Sequence, residues 1–230
     1  MKTATSKARQ AKGDRSRLAI LEEAVHLASV EGLDGLTIGR LASETGMSKS
    51  GLFAHFGSKE DLQLATVDAA RSIFIEKVIR PAFEAKKGLP RLRRLCEIWF
   101  DYAENHVFRG GCFFAAASAE FDSRPGRVRD RIAVIMKEWL EVLRWAIVDA
   151  QEAGQIDLKV EAIQLAFEIN ALEIGANWAF QLFRDKQAFT RARTAVLERL
   201  RSHSTRSIAR PSSLAVKRRT KARSAQPTGR

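Results

Sequence analysis

Residues 37–62, TIGRLASETGMSKSGLFAHFGSKEDL, decide the fold. Thr37 is an N-cap type of residue, and Ile38, Leu41 and Ala42 recur behind it on one helical face. Thr45-Gly46-Met47 interrupts that spacing with a glycine free to take the positive φ of a tight inter-helix turn. Ser48 caps a second short helix whose Leu52, Phe53 and Phe56 are placed to pack back on the first. Gly57-Ser58 ends it and caps a third helix, with Glu60 and Asp61 in the first turn, where carboxylates complement the helix dipole. The spacing predicts a helix-turn-helix together with the helix that supports it.

In a unit of this kind the second helix enters the major groove of double-stranded DNA and the first crosses the backbone. Ser48, Lys49, Ser50 and Gly51 then form the groove-facing N-terminus. Small side chains there let the helix backbone approach closely. Lys49 alone is long enough to reach a guanine edge or a phosphate.

On these pieces, LAILEEAVHLASVEGLDGLTIGRLASETGMS (18–48) and SGLFAHFGSKEDL (50–62), residues 15–64 resemble the DNA-binding domain of the TetR family of one-component transcriptional repressors. Where that family reads L-Y-x-H-F-x-x-K-E-x-L, this chain has Leu52-Phe53-Ala54-His55-Phe56-Gly57-Ser58-Lys59-Glu60-Asp61-Leu62. The tyrosine that often donates its hydroxyl to a phosphate is Phe53 here, so the ring remains and the hydrogen bond is lost. Carried over position by position, the resemblance implies backbone contacts from Thr37, His55 and Lys59. It implies base reading by Ser48, Lys49 and Ser50.

The net charge of +12 invites a nucleic-acid partner, but its distribution changes the argument. Residues 1–17 carry six Lys/Arg and one Asp, and residues 201–230 carry nine Lys/Arg and no acid. The body between them is nearly neutral. Between Leu18 and Ala65 only Arg40, Lys49 and Lys59 are basic, against seven acidic residues. Such a head depends on positioned contacts and helix N-termini more than on bulk charge. Residues 1–14 read as a basic arm, either disordered or lying in a flanking minor groove. Residues 202–230, rich in Ser, Ala, Lys, Arg and Thr, read as a disordered basic tail, available for non-specific phosphate binding.

No N-terminal apolar segment suggests a signal peptide, and no run reaches the ~18 apolar residues of a membrane span. Cys96 and Cys112 suit a reducing cytoplasm better than a disulfide framework. A soluble cytoplasmic protein is expected, bound to the nucleoid when it occupies its operator. Four scattered histidines lack metal-ligand spacing, and no nucleophile elbow, phosphate loop or dinucleotide fingerprint occurs. No enzyme, metal or cofactor is expected.

Residues 65–201 stay helical in pattern, with breaks at Pro81, Gly88-Leu89-Pro90, Gly110-Gly111, Pro125-Gly126 and Gly154. Helices are predicted at 58–80, 89–107, 112–121, 126–153, 159–183 and 185–201, which makes the chain all-α with about nine helices. Helix 126–153 has an apolar stripe of Val128, Ile132, Ile135, Trp139, Val142, Leu143 and Ile147. Helix 159–183 is apolar around its whole circumference, so it needs cover on two sides. One cover is its own domain. The other is read as a second copy of the chain, meeting helix 185–201 through Phe189, Ala192, Val196 and Leu200. The resemblance likewise implies a homodimer built on the last two helices, which suits a palindromic operator.

The resemblance also implies a pocket for a small-molecule effector among the middle helices. Candidate walls are Trp99, Tyr102, Phe113, Phe114, Trp139 and Phe167, all equally readable as ordinary core. Asn170, Glu173 and Asn177 share one helical face and read three ways: ligand anchors, dimer register, or a face turned to water. His106 is a candidate pH-sensitive or ligand-binding group, or simply a surface histidine. Cys112, expected in the first turn of a helix, reads as a reactive thiolate or as a small buried residue. The leading functional reading is a dimeric repressor released from DNA by a small molecule or reactive species. A ligand-binding dimer without a DNA role, and a sequence-independent DNA binder driven by the basic tails, are the alternatives.

Overall fold

Three hydroxyls start the helices of the head. Thr37 Oγ1 accepts the N–H of Arg40 at 3.0 Å, Ser48 Oγ that of Gly51 at 3.1 Å, and Ser58 Oγ that of Asp61 at 3.0 Å. In the computed structural model, which describes residues 2–105 and 107–205, these caps open α2 (Ile38–Thr45), α3 (Lys49–Phe56) and α4 (Lys59–Phe74). They follow α1 (Lys2–Glu31). Gly46 (φ 67°) and Gly57 (φ 73°) make the two turns, as the residue types predict. Ile20, Leu21, Ala24, Val25, Leu41, Leu52, Phe56 and Leu62 form the core of the head.

Two expectations about this region are corrected. Residues 2–14 continue α1 rather than forming an irregular arm. Phe53 does not pack back on the first helix: it is 58% exposed, while Leu52 and Phe56 on either side of it are buried. At about 100° per residue, Leu52 and Phe56 lie within about 40° of each other, and Phe53 lies about 60° beyond Phe56, turned away from Leu52.

Beyond α4 the chain does not break at Pro81. A π-helical turn (Ile75–Ile79) joins α4 to α5 (Arg80–Phe83), making one continuous rod. In that turn the Arg80 N–H reaches back five residues to the Ile75 carbonyl. The wider turn moves aside the carbonyl that the proline ring would otherwise strike. The remaining helices are α6 (Leu89–Glu104), α7 (Phe113–Phe121), α8 (Arg127–Glu152), α9 (Ala162–Phe183) and α10 (Ala188–Ser202). Counting the rod once gives nine helices among the described residues, and no strand occurs among them. No helix of the described residues is long and apolar enough to cross a membrane.

The second layer is a bundle in which α8 packs on α4, α6, α7 and α9, and α10 lies on α9 and α6. The predicted α8 stripe is the buried side, apart from half-buried Val142. Phe189, Ala192, Val196 and Leu200 of α10, expected to meet a second copy, are instead buried in the chain's own core. Phe189 packs against Phe100 and Phe180, with ring centroids 6.3 and 5.0 Å away. The outward side of α9 carries Ile163, Phe167, Trp178 and Leu182, all more than half exposed. Residues 206–230, which include most of the expected basic tail, lie outside the described residues, as does His106.

Candidate nucleic-acid interface and internal chamber

The N-terminus of α3 is open to solvent. Ser48, Lys49 and Ser50 are exposed and Gly51 is half-buried beneath the Ser48 cap. Thr37 is exposed, and its cap uses an acceptor lone pair, leaving the O–H to donate outward. Phe53 stands out from the same surface, and His55 is half-buried beside the Phe56 ring. Lys59 is exposed, but its ammonium is held 2.9 Å from Asp34. Arg40 is clamped between Glu31 (2.6 Å) and Glu44 (2.8 Å), which holds the Glu31 carboxyl below its usual range. Of the three basic residues in the head, Lys49 forms no ion pair with the described residues.

Head and bundle are joined by polar contacts as well as by the rod. Glu120 of α7 accepts the N–H groups of Leu33 and Asp34, each at 2.8 Å, just past the end of α1. Gly110 donates to Ser29 Oγ at 3.2 Å and lies so close to α1 that a Cβ there would collide with the Ser29 carbonyl. Arg124 shares Asp34 with Lys59, at 2.9 Å from the carboxylate. The lysine hydrogen bond first, and then the arginine, hold the Asp34 carboxyl below its usual range. Arg127 binds Glu60 at 3.0 Å, and Arg71 of the rod binds Glu138 of α8 at 2.8 Å.

Between the rod and α8 lies a half-open chamber of about 550 Å³ whose accessible surface is almost wholly apolar. Five of the sequence-predicted residues line it: Trp99, Cys112, Phe114, Trp139 and Asn170. Three others do not, and neither does Phe113, which is core. Tyr102 is buried behind the wall, its ring edge-on to Phe74 at 5.4 Å. Phe167 faces out from α9 and is 59% exposed. Glu173 is fully buried behind Trp139, whose indole N–H donates to its Oε2 at 3.3 Å. The water-facing reading of Glu173 and Asn177 therefore fails, since both are buried. Asn177 holds the loop before α7, accepting the Cys112 N–H at 2.9 Å.

Cys112 is the N-cap of α7 rather than a first-turn residue, and it is 3% exposed. Burial pushes its thiol up to about 11, against the smaller opposing pull of the Ala115 and Phe114 amides. Of the two readings of Cys112, the small buried residue is the one the structure bears out and the dipole-activated thiolate is not, because desolvation outweighs the helix N-terminus. Sequence reasoning missed Phe74, Ile75 and Ile79, which the rod contributes to the wall, and Trp145 of α8. Trp145 carried a visible signal, a large aromatic off the core stripe of its helix.

Residues 20–66 match the bacterial regulatory proteins of the tetR family, and residues 88–196 match the tetracyclin repressor-like C-terminal domain. The chain is 28% identical over 163 residues to the nucleoid occlusion factor SlmA of Vibrio vulnificus, covering 69% of this chain and 82% of that protein. It is 46% identical over 66 residues to the HTH-type transcriptional repressor AcnR of Corynebacterium glutamicum, covering 26% of this chain and 35% of that protein. The crystal structure of a TetR transcriptional regulator from Chloroflexus aurantiacus superposes with a TM-score of 0.79 at 26% identity, covering 84% of this chain and 98% of that one.

Proposed function

Since the chain belongs to the TetR family of bacterial transcriptional regulators, we propose that it is a homodimeric repressor that two small-molecule effectors, one per chamber, release from a palindromic operator. The carrying observation is the rod: Lys59 at its start sits beside the DNA-facing surface, and Phe74, Ile75 and Ile79 further along line the chamber. A ligand that alters the wall acts on the element that positions the head. Ligand and DNA then prefer different separations of the two heads, and each weakens the other by the same coupling energy. About 1–3 kcal/mol corresponds to a roughly 5–150-fold change in operator affinity.

Ser48, Lys49 and Ser50 read bases in this proposal, while Thr37, His55 and Lys59 hold phosphates. The exposed α9 ridge of Ile163, Phe167, Trp178 and Leu182, with the small exposed Ala171 and Gly175 between them, supports dimerisation on this face. Small residues in mid-ridge let two helices cross closely. The protein works in the cytoplasm, on the nucleoid, without catalysis. Binding to DNA upstream of its own gene, compared with a scrambled duplex at two salt concentrations, tests the reading. A preference for the native fragment that survives added salt is expected. Equal binding to both that vanishes with salt would instead assign DNA binding to the basic termini.

A further inference from the structure

The chamber wall is apolar, yet a carboxyl lies one layer behind it. Glu173 sits on α9 between Asn170, one turn earlier, and Ile174, both of which line the chamber. Its Oε2 takes the Trp139 N–H, and the Trp139 ring is itself part of the wall. Its Oε1 is buried without a hydrogen-bond partner. An unsatisfied buried acid is a poor way to fill space, because an apolar side chain of the same volume would serve the fold better. It makes sense where something else completes it.

The surroundings say what that is. Among the groups near Glu173 are the Trp139 indole of α8 and the buried thiols of Cys96 on α6 and Cys112 before α7, whose pKa values are raised by burial first and by a carboxylate at Glu173 after it. None of these is a base. Of the charged residues of the lining, Arg71 is paired with Glu138, Glu141 with Arg144, and Lys137 is exposed to solvent. Aromatic rings make up much of the rest, with Phe74 edge-on to Trp139 at 5.3 Å and to Phe114 at 6.2 Å. Aromatic walls attract cations, and a buried carboxyl with no base beside it offers an anion no positive charge to pair with.

We propose that the effector is a lipophilic monocation, a bulky apolar body bearing one positive charge, and that Glu173 is the group that answers the charge. The proposal rests on the chamber being the effector site. Burial holds the Glu173 carboxyl well above its usual range, which favours its protonated form. The arriving cation favours the carboxylate, and the displaced proton leaves to solvent. An anion would meet no compensating base, and a neutral apolar ligand would leave Oε1 as it is.

Three probes of similar shape test this on the full chain: tetraphenylphosphonium, tetraphenylborate and neutral triphenylphosphine oxide. Binding is followed by tryptophan fluorescence, since three of the four tryptophans (Trp99, Trp139 and Trp145) line the chamber. Calorimetry in two buffers of different ionisation enthalpy counts protons. The expected result is at least tenfold tighter binding of the cation than of either other probe, with release of about one proton. Glu173→Gln should lower cation affinity at least tenfold, abolish proton release and leave the neutral probe unchanged, which also reports that the variant is folded. Borate binding as well as the cation, or a Gln variant indistinguishable from native, overturns the inference and leaves the chamber reading intact. If none of the three probes binds, the chamber reading itself falls. Should the variant fail to fold, the comparison of charges on the native protein still decides.

Discussion

Removing the Glu120 carboxylate should loosen the head from the bundle by a measurable amount. Its two oxygens accept the N–H groups of Leu33 and Asp34 at 2.8 Å each. These amides follow the left-handed Gly32 (φ 84°) that ends α1. Charge-assisted hydrogen bonds contribute about 1.5–3 kcal/mol each when shielded from water. One of this pair is partly buried and the other exposed, so solvent screening reduces their sum to about 1–2 kcal/mol. For a protein of this size about 1 kcal/mol moves the melting temperature by about 2–4 °C, which gives a loss of about 2–8 °C for Glu120→Ala. Glu120→Gln should be no milder, since its amide turns an NH₂ toward one of the two N–H groups, donor against donor. Thermal melts followed by circular dichroism measure both. The same variants should show a smaller effector-induced drop in operator affinity, because α7 no longer moves the head with it. Melting temperatures within about 1 °C of native for both would show that the grip is incidental and that the rod alone joins the two layers.

Phe53→Tyr should tighten operator binding about fivefold, by restoring a phosphate donor on a ring already exposed; gel-shift titration checks it. Lys49→Ala should relax base choice, whereas Lys59→Ala should weaken all sequences alike and lower the salt slope by about 1, both readable from fluorescence anisotropy on a panel of duplexes. Leu182→Arg on the exposed α9 ridge should leave the chain folded but monomeric in analytical ultracentrifugation, with operator affinity lost. Burial raises the Glu173 carboxyl, so its neutral form favours the fold below the ordinary carboxylate range, and that contribution is lost as pH rises toward the folded value. Glu173→Gln should therefore flatten the decline of unfolding free energy as pH rises above the ordinary carboxylate range, a slope of at most about 1.4 kcal/mol per pH unit, in denaturant titrations.

The head was legible because its determinants are local. A cap at Thr37, Ser48 or Ser58 acts on an amide two or three residues away, so residue type and order suffice to place it. Phe53 was misplaced because nothing local decides how far the buried arc of a short helix extends beyond Leu52 and Phe56. The chamber was half legible. Trp99, Phe114, Trp139 and Asn170 lie on helices whose apolar sides were visible, but Phe74, Ile75 and Ile79 enter it because the rod passes through Pro81. A proline reads as a break in one dimension, and only the π turn shows how the chain avoids one. Cys112 was read from its place at a helix start, but burial, which decides its thiol, depends on the loop that Asn177 holds against α9. Similarly, the periodicity of α10 marked an apolar side without saying which neighbour covers it.

The charges of the head show how so acidic a unit can read DNA and report to the bundle. Arg40 is committed to Glu31 and Glu44, and Lys59 to Asp34, so Lys49 is the one basic group of the three already available. A phosphate that captures Lys59 must take it from Asp34. That carboxylate is also held by Arg124 of the bundle, and its backbone N–H is held by Glu120. If Lys59 holds a phosphate as proposed, Asp34 is a junction where a DNA contact and an inter-layer contact compete for one group. Drawing Lys59 away leaves Asp34 to Arg124 alone and strengthens the pull of the bundle on the end of α1. A shift of the bundle that takes Arg124 away leaves Asp34 free to hold Lys59 back from a phosphate. The contact is exposed, so each such exchange is worth little by itself. In the proposed two-fold dimer it would occur twice and in concert with the Glu120 grip, so small local preferences would add into the proposed coupling between chamber and operator.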